Sequence, residues 1–202
     1  MQPSHRYKLT PFASVAAATL APTAMATFFF QGNLSSWMTQ AGAPATQANL
    51  FNYLGFPFAT QQIPDDLFGD LGVTISSSVP LVAHMQTSGS SWYISTDAQG
   101  TQIEILFDAP QSAVYLTSGV KTAAGSFLFD MSTKSFYSGS TLLGSTTTNS
   151  MGAISSLPID RIVVTVNSPD LIPVIGPTFY FVPGPCSLAI LVMAPLGSRR
   201  RR

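Results

Sequence analysis

From Leu71 onward the chain is a succession of short β-prone runs, each ended within a few residues by Gly, Ser, Asn or Pro. That spacing leaves no room for a helix of useful length and predicts short strands joined by tight turns. The runs cover residues 72–77, 81–86, 91–95, 102–107, 112–120, 126–131, 135–137, 141–147, 159–167 and 178–182. Several alternate cleanly. Ile103, Ile105 and Phe107 share one face of a strand, and Gln102, Glu104 and Leu106 share the other. In IDRIVVTVN, the set Asp160, Ile162, Val164 and Val166 reads as the buried side, against Ile159, Arg161, Val163 and Thr165. Ten short strands at close spacing predict an all-β, jelly-roll-like β-sandwich. The one helical stretch is NLSSWMTQAG, with Ser35 or Asn33 as N-cap, Gly42 as its stop, and Trp37 and Met38 packing it onto the sandwich.

Charge narrows the function classes. Only 9% of the 202 residues are charged, and the formal net charge is zero. Six of the nine cations lie at the ends: Arg6, Lys8 and Arg199 to Arg202. Between them three cations, Lys121, Lys134 and Arg161, face nine acids, a net of −6. A surface that poor in Lys and Arg excludes nucleic acid as a partner, because phosphate contacts need them. Cys186 is the single cysteine, so neither an intrachain disulfide nor a Cys-based zinc site can form.

The two ends predict export. Arg6 and Lys8 precede an uncharged stretch from Pro11 to Ala26, and Ala24-Met25-Ala26 offers the small residues that signal peptidase needs before its cut. Residues 1–26 therefore read as a signal peptide, with residues 27–181 as the exported β-sandwich. At the other end, Pro183-Gly184-Pro185 leads into an uncharged run over residues 186–197, which is followed by four arginines. Twelve residues fall short of the roughly 20 needed to cross a bilayer, and Pro195 interrupts them. Such a segment suits a transient membrane anchor whose arginines stay on the cytoplasmic side. Cys186, beside that boundary, reads as a small apolar residue in the run.

The order Pro-x-Pro, short apolar helix and terminal Arg cluster over residues 182–202 resembles the PEP-CTERM sorting signal of exosortase-processed bacterial surface proteins. Gly184 stands where that family usually carries Glu. The resemblance implies that Pro183, Gly184, Pro185, Arg199, Arg200, Arg201 and Arg202 serve recognition by an exosortase-type membrane processing enzyme. It also implies cell-envelope or extracellular-matrix localisation and an exopolysaccharide as partner. The middle of the chain is similar to ectodomains that precede such tails, through LSSWMTQAG, DLGVTI, GTQIEILFDAPQSAVYL, GSFLFDM, GSTLLGSTTT and PIDRIVVTV. Those domains are jelly-roll-like and most have no assigned activity.

Residues for catalysis are sparse. His5 falls in the signal peptide, so His84, in the strand-like LVAHMQ, is the one imidazole available to a Ser-His-Asp arrangement, and it reads as a half-exposed strand residue. No G-x-S-x-G elbow occurs. Glu104, Asp108 and Asp130 could supply a carboxylate pair, but Asp108 before Ala109-Pro110 reads as a turn and the others as solvated acids. IPDDLFGDLG concentrates Asp65, Asp66 and Asp70, which could hold calcium through oxygens, although without EF-hand spacing they read as an acidic turn. Trp92, Tyr93, Phe136 and Tyr137 could form a sugar-stacking platform, against the ordinary reading of strand aromatics as core. The sequence thus predicts a non-enzymatic exported protein for adhesion or matrix contact, without cofactor. A carbohydrate-binding module is the alternative, followed by a secreted hydrolase.

Overall fold

The computed structural model describes residues 28–42, 44–55, 60–85, 92–128 and 131–184. Ala24, Ala26, Asp130, Pro185, Cys186 and Arg199 to Arg202 lie outside the described residues. The strands are β1 (Phe28–Gln31), β2 (Thr46–Asn49), β3 (Gln61–Ile63), β4 (Val73–Ser76), β5 (Leu81–Met85), β6 (Trp92–Ser95), β7 (Gln102–Thr122), β8 (Phe127–Leu128), β9 (Ser132–Ser138), β10 (Thr141–Thr146), β11 (Ser150–Val166) and β12 (Leu171–Pro183). Two short helices, α1 (Leu34–Ala41) and α2 (Leu50–Leu54), precede most of them. Among the described residues no helix is long and apolar enough to cross a membrane.

Three strands are much longer than the sequence suggested, and their length builds the sandwich. The runs at 102–107 and 112–120 are one strand, β7, that passes straight through Asp108, Ala109 and Pro110. The expected turn at Asp108 is therefore corrected. Pro110 is tolerated because the register with β11 breaks on either side of Gln111, where a missing N–H costs no ladder bond. β11 likewise begins at Ser150 rather than Ile159, with its register shifting between Ile154 and Ile159.

β7 and β11 pair on both sides of that shift, between Gln102 and Thr117 of β7, and bend together there. Beyond the bend the neighbours differ. The 102–107 half of β7 pairs with β4, and the 161–166 half of β11 pairs with β9, which pairs with β10. The other halves carry β1 on β11, and β12, β6, β5 and β3 in order on β7. β2 covers the far half of β12, and β8 adds to the end of β7. One antiparallel twelve-stranded sheet thus folds onto itself as two layers, the all-β sandwich expected.

The core lies between the layers. Ile75, Ile103, Ile105, Phe136, Ile162 and Val164 come from one, and Ala83, Ile94, Val114, Leu116, Ile175 and Phe179 from the other. The alternations read at 102–107 and 160–166 hold for Ile103, Ile105, Phe107, Ile162 and Val164. Ile159 is buried as well, because the bulge before it turns its side chain inward. α1 forms as the sequence suggested. Asn33 caps it by accepting from the Ser36 N–H at 3.1 Å, and Gly42 closes it in the left-handed region at φ 70°. Trp37 is fully buried, whereas Met38 is exposed. The last strand outlasts the expected 178–182. Val182 and Pro183 are ladder residues, and the Gly184 N–H donates to the Pro110 carbonyl at 2.9 Å.

Candidate functional site

The layer built on β7 and β12 has an outer face of its own. One end carries a second apolar cluster, in which Trp37 of α1 packs with Ala113 and Tyr115 of β7 and Val182 of β12. The indole sits over Gly152, where an added Cβ would lie 2.2 Å from the Trp37 ring, so glycine is required for the helix to dock. Trp37 Nε1 donates to the Ala153 carbonyl at 3.3 Å, and the Tyr115 hydroxyl donates to the Gly32 carbonyl at 2.9 Å. These bonds fix α1 and its entry to the sheet.

Beyond Leu34 the helix ends its cover, and the same face opens into a groove of about 650 Å³. Its floor is the β7–β12 pair, where Tyr180 stands opposite Tyr115. β12 then carries Gly176, Pro177 and Thr178 opposite the single Thr117, a bulge that bends the strand and deepens the floor. Gly119 and Gly176 also line it, and neighbouring groups leave little room for a side chain at either. A Cβ at Gly176 would come within 3.2 Å of the Thr117 Cβ. Tyr93 of β6 and Phe127 of β8 form the far wall, with their rings 4.7 Å apart and nearly perpendicular. Thr117, Thr178 and Asn149 add polar groups among the aromatic rings. Concave, aromatic and sparsely polar, the surface suits a ligand with alternating apolar faces and hydroxyl edges.

Tyr93 is held from behind by a charged cluster. The ring of His84 stacks on it at 4.8 Å and 16°, and the Lys121 ammonium lies 5.4 Å from its centroid. Asp97 ties the cluster together. Its carboxylate accepts from His84 Nε2 at 2.8 Å, from Ser95 Oγ at 2.7 Å and from Lys121 Nζ. Asp97 has φ 54°, a left-handed conformation that an acidic residue tolerates better than most. Burial pushes the Asp97 carboxyl upward, but the hydrogen bonds from Lys121 and Ser95 and the charges of Lys121 and His84 outweigh it, so the group sits below its ordinary value. Burial, then the Lys121 charge, hold His84 below the usual imidazole value despite the pull of Asp97. Burial and the Asp97 charge raise the Tyr93 phenol.

Of the residues singled out in the sequence, Trp92 and Tyr93 line the groove, Phe136 is fully buried core, and Tyr137 lies 4.3 Å beneath the Arg161 guanidinium. Glu104 accepts from Arg161 Nη1 at 3.3 Å. His84 is engaged with Asp97, while Ser95, the hydroxyl nearest that pair, is itself buried and donates to the same carboxylate. Asp65, Asp66 and Asp70 form an exposed turn between β3 and β4. The Asp65 and Asp66 carbonyls accept from the N–H groups of Ile75 and Gly69, and Asp70 accepts from the Tyr53 hydroxyl at 2.6 Å. Burial, together with that bond and the Asp70 charge, lifts the Tyr53 phenol to about 12. Among the described residues no three of His, Cys, Asp and Glu converge to hold a metal ion. Tyr115, Phe127 and Tyr180 were not singled out in the sequence. Their parity within their strands was visible, but the register that gathers them was not.

No family model and no curated protein matches the sequence. Among solved structures, the chain is similar to a family 29 carbohydrate-binding module from Piromyces equi, at 13% identity over 71% of this chain and 95% of that one, with a TM-score of 0.35. It is also similar to a β-1,3-glucan-binding CBM6 from Bacillus halodurans, at 15% identity, 69% and 95% coverage, and a TM-score of 0.30. Likeness at this level leaves the sandwich resting on its own strand pairing and the site on its own geometry.

Proposed function

We propose that this chain is a non-catalytic, exported surface protein whose sandwich binds a glycan in the groove over β7 and β12, and so associates with an extracellular polysaccharide matrix. The observation that carries the reading is the gathering of Tyr93, Tyr115, Phe127 and Tyr180 around a concave floor with Thr117 and Thr178 between them. Pyranose rings offer C–H faces to aromatic rings and hydroxyls to polar groups, and this lining offers both partners. A binding role also accords with the chemistry nearby, since His84, Ser95 and Asp97 bond to one another rather than presenting a base and a nucleophile to the groove.

Export and sorting belong to the same proposal and rest on the sequence. Signal peptidase would cut after Ala26, and an exosortase-type enzyme would process the tail that begins at Pro183-Gly184-Pro185 and ends at Arg199 to Arg202. Intact-mass analysis of the surface-associated protein tests this part. A mass lacking Met1 to Ala26 and Arg202 supports it, and a mature form that retains Arg202 overturns the processing step. The binding part is tested by affinity electrophoresis of the full chain through gels containing soluble polysaccharides. Retardation by at least one polymer is expected. Unretarded migration in a panel of glucans, xylans, mannans and uronate polymers would overturn it.

A further inference from the structure

We infer that the groove selects an uncharged glycan chain, and that Asp97 is the residue that keeps it selective. This rests on the glycan-binding reading and specifies the ligand. Among the described residues that line the groove none is charged. Of the described cations, the two nearest to it are engaged inside the protein. Lys134 is fully buried below the floor, where its Nζ donates to Ser118 Oγ at 3.0 Å and to the carbonyls of Asn149 and Thr148. Lys121 lies behind Tyr93 and donates to Asp97. Asp97 in turn leaves 36% of its side chain exposed beside the Tyr93 wall. A carboxylated or sulfated chain entering here would lose water from its charges against aromatic rings, meet no free cation among the described residues, and approach an acid.

The dimensions call for a chain rather than a single sugar. Tyr93 precedes Ile94 on β6, and Ile94 pairs with Ile175, so Tyr93 lies at the level of the bulge opposite Thr117, while Tyr180 pairs with Tyr115. Two residues of β7 separate those levels, a span of about 7 Å along the strands at the usual rise per residue. Two aromatic rings that far apart can stack successive sugars of one polymer. Asp97 acts on the ligand through Lys121 and His84. Its charge neutralises the ammonium and fixes the imidazole on which Tyr93 stacks, which makes it a positioning residue.

The test compares one neutral polysaccharide with its own carboxymethylated form, using the full chain, its Asp97→Asn variant and a Thr178→Lys variant in affinity electrophoresis and isothermal titration. For the unaltered chain the neutral polymer should bind at least tenfold more tightly than the carboxymethylated one. Asp97→Asn frees the Lys121 charge beside Tyr93 and should narrow or reverse that preference. Thr178→Lys adds a cation to the floor without touching the cluster, and should do the same even where Asp97→Asn fails to fold. Equal or tighter binding of the carboxymethylated polymer by the unaltered chain overturns the selectivity and leaves glycan binding intact. So does an unchanged preference in the folded variants. Failure of the folded chain to bind either form of any polymer overturns the glycan reading itself.

Discussion

The two ends of one sheet face have opposite fates. At one end α1 lies over β11 and β7, and Trp37, Ala113, Tyr115 and Val182 close into an apolar cluster. At the other, β7 and β12 present Tyr180, Thr178, Thr117 and Gly119 to an open groove. Both ends are rich in aromatic side chains, so hydrophobicity does not separate them. What differs is the small residues. Gly152 under Trp37 lets a helix come into contact, whereas Gly119 and Gly176 line the groove, where the Leu128 carbonyl and the Thr117 side chain approach them closely. A folded protein hides aromatic surface unless that surface has work to do. The covered end stabilises, and the open end is the proposed binding surface.

The largest effect that would sharpen this contrast belongs to the covered end. Trp37→Ala should cost about 3–5 kcal/mol, as for other large buried aromatics, and should lower the denaturant midpoint at unchanged slope. Gly152→Ala should cost about 1–3 kcal/mol by forcing the indole away from the sheet. At the open end the pattern should invert. Tyr93→Ala should weaken glycan binding about tenfold, while its stability loss should stay at the roughly 1–3 kcal/mol of its two ring contacts, with His84 and Phe127. Equal stability losses at Trp37 and Tyr93 would break the comparison.

Much of this architecture was legible in the chain, and the unread part has a common physical origin. The alternation at 102–107, the burial of Ile162 and Val164, the Asn33 cap and the Gly42 stop are local signals, and the structure places them as read, whereas Asp160 and Val166 are only half-buried. β1, β2 and β3 were missed, since FFFQ, TQAN and QQI are too short to show a period and exist only by pairing with β11, β12 and β5. The continuity of β7 through Pro110 was missed because a proline ends a strand only where a ladder bond is needed, and the partner strand decides that. The groove was half legible. Trp92 and Tyr93 stood out as a pair, but Tyr115 and Tyr180 are far apart in sequence and meet through the register of β7 and β12.

Smaller effects sharpen the picture of what supports each end. Asn33→Ala removes the cap of α1 and should cost about 1 kcal/mol in stability while leaving glycan affinity unchanged. Acid should act on the open end. His84 and Asp97 both have lowered values in the folded protein, so the unfolded chain binds more protons and stability falls as pH falls. The His84 part is present above its ordinary value of 6.5 and is lost below it, and the Asp97 part is lost later, below 3.8. Melting temperatures recorded between neutral pH and pH 5 should decline gently, and His84→Gln should flatten that decline. A rise in stability over the same interval would contradict the geometry of the cluster.

The most direct measurement is a map of amide chemical shifts as a neutral oligosaccharide from a polymer that binds is titrated into the labelled protein. The resonances of Tyr93, Thr117, Gly119, Gly176, Thr178 and Tyr180 should move together with one dissociation constant, and those of Ser35 to Gln40 on α1 should stay in place. Shifts centred instead on Ser76 to Ser78, Gln102 and Thr165, which line a separate hydroxyl-rich cavity of about 610 Å³, would place the ligand elsewhere and contradict the assignment of the groove.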